Sequence, residues 1–130
     1  MFVLKVIDTF SAAHRLRGYE GKCEGLHGHN WKVEAEASFA RLNKIGISMD
    51  FKKLKKALSA ALSGYDHKDL NDVPEFKAQN PSAEHLARNI HGKLRRSLQG
   101  SGARRLRVSV WESETSCCTY EGRMKNGSAA

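Results

Sequence analysis

The chain has 130 residues, 40% of them hydrophobic and 28% charged, which fits one globular domain and leaves no room for a second. No apolar run approaches the roughly 20 residues that cross a bilayer, and Met1–Asp8 has neither a basic start nor a long apolar stretch, so neither secretion nor membrane insertion is expected. Three cysteines, Cys23, Cys117 and Cys118, argue against a disulfide framework and for a cytosolic (cytoplasmic) protein with free thiols, while a net charge of +8 favours an anionic partner: nucleic acid, acidic membrane or a phosphorylated metabolite.

Residues 2–10 are rich in Phe, Val, Leu and Ile and predict a strand. Over His27–Phe39 the odd positions His27, His29, Trp31, Val33, Ala35, Ala37 and Phe39 alternate with Asn30, Lys32, Glu34, Glu36 and Ser38, the clearest strand in the chain. This alternation puts both histidines on the apolar face, side by side. Asp50 is a good N-cap for a helix whose apolar positions Phe51, Leu54, Leu58, Ala61 and Leu62 keep helical spacing up to Gly64. A second helix is expected from Asn80 or Ser82, with Pro81 in its first turn and Leu86, Ala87, Ile90, Leu94 and Leu98 as its buried stripe, ending at Gly100 and Gly102. Leu106, Val108, Val110 and Glu112 alternate with Arg105, Arg107, Ser109 and Trp111 in another strand, and a short one is expected at Cys118–Gly122. The order ββααββ predicts an α+β domain over residues 1–125, helices on one face of an antiparallel sheet, with Asn126–Ala130 a loose tail.

The basic residues gather in two stretches, Lys52, Lys53, Lys55 and Lys56, then Arg88, Lys93, Arg95, Arg96, Arg104, Arg105 and Arg107. No aromatic residues interleave them, which reads as solvated helix faces rather than a base-stacking surface.

His27-Gly28-His29 lies four residues after Cys23, and His14 ends the first strand. Two adjacent imidazoles on one face of a strand form a preorganised pair, and a catalytic zinc takes three protein ligands with a fourth position open. Gly28 would leave room for close backbone approach between them. Cys23 reads either as a nucleophile or base, its thiolate stabilised by a nearby cation, or as a fourth ligand closing a structural site. His85 and His91 lie six apart on the second helix and read as structural. In Asp66-His67 a carboxylate stands where it can fix an imidazole tautomer, although a plain helix-exit loop explains the same residues. Glu112 continues the inward parity of its strand, where a carboxylate needs a partner such as the paired N–H groups of a guanine or pterin ring. A one-residue bulge would instead turn it to solvent.

The segments F-S-A-A-H-R-L at Phe10–Leu16, C-E-G-L-H-G-H at Cys23–His29, M-D-F-K-K-L-K at Met49–Lys55, Y-D-H-K-D-L-N-D at Tyr65–Asp72, N-P-S-A-E-H-L-A at Asn80–Ala87 and V-W-E-S-E-T-S at Val110–Ser116 together resemble the 6-pyruvoyltetrahydropterin and 6-carboxytetrahydropterin synthase family. The resemblance implies the tunnelling fold, ββααββ units whose sheets join into a barrel in trimers that stack as a homohexamer, with active sites between subunits. By motif position it implies His14, His27 and His29 as ligands of Zn2+, Cys23 as the catalytic thiol, Asp66 and His67 as its proton relay, Glu112 as the pterin anchor, and Thr115 and Ser116 as contacts to the ring. Three residues between Cys23 and His27 resemble the carboxy enzymes of queuosine biosynthesis. The expected reaction converts 7,8-dihydroneopterin triphosphate to 6-carboxytetrahydropterin with release of acetaldehyde and triphosphate. A pyruvoyl synthase or a related dihydropterin aldolase is the neighbouring alternative. Ser113-Glu114-Thr115-Ser116 departs from the family's Thr-Pro-Thr-Ser segment by placing a second acid near the anchor. A remoter alternative is a zinc-stapled nucleic-acid-binding module, but the resemblance implies a pterin substrate, no nucleic acid and no membrane.

Overall fold

The computed structural model describes residues 1–19 and 25–124, so Cys23 and the tail Asn126–Ala130 lie outside the described residues. Strands β1 (Phe2–His14) and β2 (His27–Phe39) are followed by helix α1 (Phe51–Leu62), a two-residue strand β3 (Lys68–Asp69), helix α2 (Ala83–Ser97), and strands β4 (Arg105–Ser113) and β5 (Ser116–Arg123). The sheet order is β3-β1-β2-β4-β5. Its four long strands pair antiparallel, while β3 lies parallel to β1. The sheet is therefore mixed rather than purely antiparallel.

One face of the sheet is apolar because the two-residue period is kept in register across strands. Phe10 faces Trp31, Val6 faces Ala35, and Ala35 in turn faces Val108. Both helices pack on this face, α1 against β1 and α2 against β4 and β5. Asp50 caps α1 by accepting from the Lys52 N–H, and Ser82 caps α2 by accepting from the His85 N–H. With Ser82 as the cap, Pro81 stands before the helix and not in its first turn. Leu86, Ala87, Ile90 and Leu94 form the buried stripe of α2, as their spacing predicts, and His91 joins it. Gly100 and Gly102 both take positive φ, 75° and 91°, after the helix, a backbone that glycine adopts without a Cβ penalty.

The strand predicted over residues 2–10 runs on to His14, because Ala12 pairs with His29 and His14 with His27. The lysines of α1 are exposed, as a solvated face requires. No helix among the described residues is long and apolar enough to cross a membrane.

Candidate active site

The register of β1 and β2 builds the centre of the site. His14 stands directly opposite His27, and His29 is one pair further along the same face. Their ring centroids lie 4.7 to 5.0 Å apart, resting on the fully buried Trp31, whose ring meets His14 and His29 edge to face. Trp31 is itself fixed by stacking on Phe10 and by donating its indole N–H to the Ala12 carbonyl at 3.3 Å. The floor beneath the imidazoles is thus rigid.

Hydrogen bonds set the ring tautomers. A carbonyl oxygen only accepts, so the 2.8 Å contact of His14 Nδ1 with Pro81 O makes Nδ1 the donor and leaves the Nε2 lone pair for another partner. His27 Nδ1 donates to Gly25 O at 2.8 Å in the same way. His14 is 2% exposed, and its Nε2 is buried without a hydrogen-bond partner among the described residues. A buried, unmatched imidazole nitrogen is costly unless something else satisfies it.

Glu112 completes the group. A register irregularity between Trp111 and Ser113 falls on it, and the carboxylate, still 40% exposed, leans toward the histidines, with Oε1 3.5 Å from His29 Nε2. One ligand atom from each of His14, His27, His29 and Glu112 lies within 4.8 Å of the others. The edge of a tetrahedron around zinc at 2.1 Å bond lengths is about 3.4 Å, so the donor set fits one divalent cation, and the orphaned His14 nitrogen marks where it would be held.

Asp66 and His67 are brought to the rim of this site by β1. The Ser11 N–H donates to Asp66 Oδ1 at 2.9 Å, and the His67 N–H donates to Ser11 O at 2.6 Å. His67 takes φ 58°, a left-handed backbone that costs a non-glycine residue about 1 kcal/mol or more and persists where neighbours enforce it. Asp66 Oδ2 lies 2.9 Å from His67 Nδ1, the carboxylate–imidazole contact that sequence adjacency alone did not require. The Ser11 N–H, and then His67, hold the Asp66 carboxyl below the usual aspartate range. Both side chains are exposed, His67 at 84%. His67 shares an open concavity of about 370 Å³ with Ser11, Gly28, His29, Asn30 and Lys68.

Some expectations shift. A Cβ on Gly28 would meet only Ala12 O, at 4.0 Å, so the glycine is not needed for close approach between the histidines; it lines the concavity instead. Thr115 and Ser116 are exposed at the β4–β5 turn, where the Thr115 N–H donates to Ser113 Oγ. Cys117 is exposed and Cys118 half-buried, both free thiols, and burial pushes the Cys118 thiol up. Neither His85 nor His91 belongs to the histidine cluster. Sequence reasoning missed the roles of Ser11 and Pro81, which act through backbone atoms, and of Asn80, which acts through both backbone and side chain; the N-P-S segment before a helix was the visible trace of the last two.

Known proteins share this fold and much of this sequence. A relative from Archaeoglobus fulgidus described as a putative 6-carboxy-5,6,7,8-tetrahydropterin synthase is 35% identical over 86% of this chain and 90% of its own. The dihydroneopterin monophosphate aldolase of Pyrococcus furiosus is 35% identical over 80% of this chain and 83% of its own. The solved structure of the 6-pyruvoyl tetrahydropterin synthase of Caenorhabditis elegans superposes with a TM-score of 0.78 at 26% identity, over 93% of this chain and 95% of that one. The family profile of 6-pyruvoyl tetrahydropterin synthase matches residues 3–123, a span that takes in all of the strands but Phe2, both helices and all four residues of the donor cluster, and the chain belongs to that family.

Proposed function

We propose that this protein is a zinc-dependent pterin side-chain lyase that converts 7,8-dihydroneopterin triphosphate and one water to 6-carboxy-5,6,7,8-tetrahydropterin, with release of acetaldehyde and triphosphate, as a step of queuosine biosynthesis in the cytosol. The observation that carries the reading is the clustered triad of His14, His27 and His29, with His14 buried and Glu112 beside them, in a chain whose relatives include carboxytetrahydropterin synthases.

His14, His27 and His29 would hold the metal, leaving the fourth position to substrate. When bound, zinc supplies Lewis acidity that lowers the pKa of the substrate's side-chain hydroxyls. Glu112 anchors the ring through its paired N–H groups, a bidentate contact that fixes which carbon of the side chain faces the bases. Thr115 and Ser116, on the turn that follows, contact the same ring. The Cys23 thiolate takes a proton from the side chain on one side. On the other side His67 exchanges protons at Nε2, because Asp66 engages Nδ1 and fixes the tautomer. A positive charge of +8 favours approach of a triphosphate.

The exposure of Asp66 and His67 on a single chain, and the two open sheet edges at β3 and β5, support a homohexamer in which neighbouring copies complete the site and the barrel.

Purified protein incubated with 7,8-dihydroneopterin triphosphate, with and without a chelator, tests this by mass spectrometry of the products. A 6-carboxy product with acetaldehyde, lost on chelation and restored by zinc, is expected. A 6-pyruvoyl product, or cleavage of the side chain without ring reduction, would reassign the chain to the synthase or aldolase chemistry of its other relatives.

A further inference from the structure

We infer that His85, through the main chain of Asn80 and Pro81, is a positioning residue for the metal ligand His14. The inference rests on the metal reading above.

The Pro81 carbonyl that accepts from His14 Nδ1 lies outside the α2 hydrogen-bond ladder, whose first acceptor is Ser82 O, bonded by the Leu86 N–H at 2.9 Å. Its direction therefore depends on what holds the residues on either side. On the helix side Ser82 Oγ caps the His85 N–H at 3.1 Å. On the other side the His85 ring reaches back one turn, and its Nδ1 donates to Asn80 O at 2.6 Å. Asn80 is gripped a second time by its side chain, which accepts from the Arg17 N–H at 2.8 Å and donates to Arg17 O at 2.9 Å. This amide mimics a strand partner and ties the chain just after His14 to the chain just before α2. The Arg17 guanidinium donates to Phe76 O and Gln79 O, closing the clasp.

Pro81 is thereby held between two fixed neighbours, and its carbonyl points at a buried imidazole whose other nitrogen faces the donor cluster. His85 stands outside that cluster and so has no part in it as a ligand; its Nδ1 proton is committed to the backbone. Hydrogen bonds that orient a metal-binding imidazole change metal affinity by about 10- to 100-fold when lost. An orienting contact one bond further out belongs at the lower end of that range.

The test is the zinc affinity of the full chain, read by competition with a chromophoric chelator at fixed neutral pH, for the wild type, His85→Leu and His85→Asn. Circular dichroism establishes that each is folded at the temperature used. His85→Leu keeps apolar bulk but has no donor, and is expected to bind zinc about tenfold more weakly. His85→Asn places an amide N–H near the former Nδ1 and is expected to stay within about threefold of wild type. Equal affinity in His85→Leu and wild type overturns the proposal, as does an equal loss in His85→Leu and His85→Asn. A wild-type chain that binds no zinc overturns the metal reading itself, and the positioning role with it. Should His85→Leu fail to fold, nitrogen-15 NMR of the metal-free wild type decides. A His14 ring protonated at Nδ1 with a slowly exchanging proton supports the clasp, and a ring protonated at Nε2 overturns it.

Discussion

At the scale of single residues, Glu112 has the most to explain. A carboxylate at the inward end of a strand is expensive unless it is paired, and here it leans toward His29 at 3.5 Å, short of a close hydrogen bond. Two uses of that position predict different things. As a fourth metal ligand Glu112 would close the coordination sphere, which is the arrangement of a structural site; as the ring anchor it stands beside an open one. Glu112→Gln keeps size and one acceptor but loses the charge and the bidentate match to paired N–H groups. We expect the variant to hold zinc within about threefold of wild type and to bind a dihydropterin about tenfold or more weakly by calorimetry, since a charge-assisted hydrogen bond contributes about 1.5–3 kcal/mol. Loss of zinc with retention of pterin affinity would make Glu112 a ligand.

At the scale of elements, α2 carries a buried polar residue, His91, within the apolar stripe that packs on the sheet. His91 is 4% exposed, its Nε2 donates to Leu106 O at 3.1 Å, and its ring meets Tyr120 edge to face. Burial pushes its pKa down, the Leu106 carbonyl acting against that. A histidine depressed in the folded state binds its proton first in the unfolded chain, so stability is present above the unfolded value of about 6.5 and is lost as pH falls below it. Urea unfolding from neutral pH to pH 5 is expected to show a shallower pH dependence in His91→Gln than in wild type at equal metal loading, and identical slopes would remove His91 as the source. The sequence made the long elements legible: β2 is found where its alternation put it, and Asp50 and Ser82 cap the helices because short polar side chains at those positions serve the first N–H groups. The pair His27 and His29 was legible for the same reason, since strand parity fixes which side chains share a face, whereas His14 joined them through the resemblance of its motif. Two-residue β3 was not, because two residues cannot show a period. Its pairing depends on Asp66 and His67 gripping the backbone of Ser11, and main-chain donors and acceptors carry no residue code. Ser11–Ala13 showed no period of their own, because small side chains mask the alternation that pairing with β2 restores, although His14 was read at the strand's end.

At the scale of the whole molecule, the question is whether the metal holds the fold or only the reaction. A structural zinc domain is unfolded without its ion because the ion replaces a core. This chain has a core of its own: twenty-five buried hydrophobic residues among the described residues, running from Val6 and Phe39 through Leu54, Leu58, Leu86, Ile90 and Leu94 to Met124. Its donor cluster sits at one end of β1, β2 and β4, and most of the sheet's length lies beyond it. Chelation should therefore lower stability without abolishing structure. A ligand that binds only the folded chain, at a hundredfold excess over its Kd, adds about 2.7 kcal/mol, which for a chain of this size corresponds to roughly 10 °C in Tm. We expect zinc removal to lower Tm by about that amount while the far-ultraviolet dichroism at 25 °C stays unchanged, and zinc to restore the higher Tm. If chelation instead unfolded the protein cooperatively at that temperature, the site would be a staple for the fold. The open fourth position on which the lyase reading depends would then be the first part of it to fall, and a zinc-stapled binding module would stand in its place, to be sought by its steep salt dependence on nucleic acid.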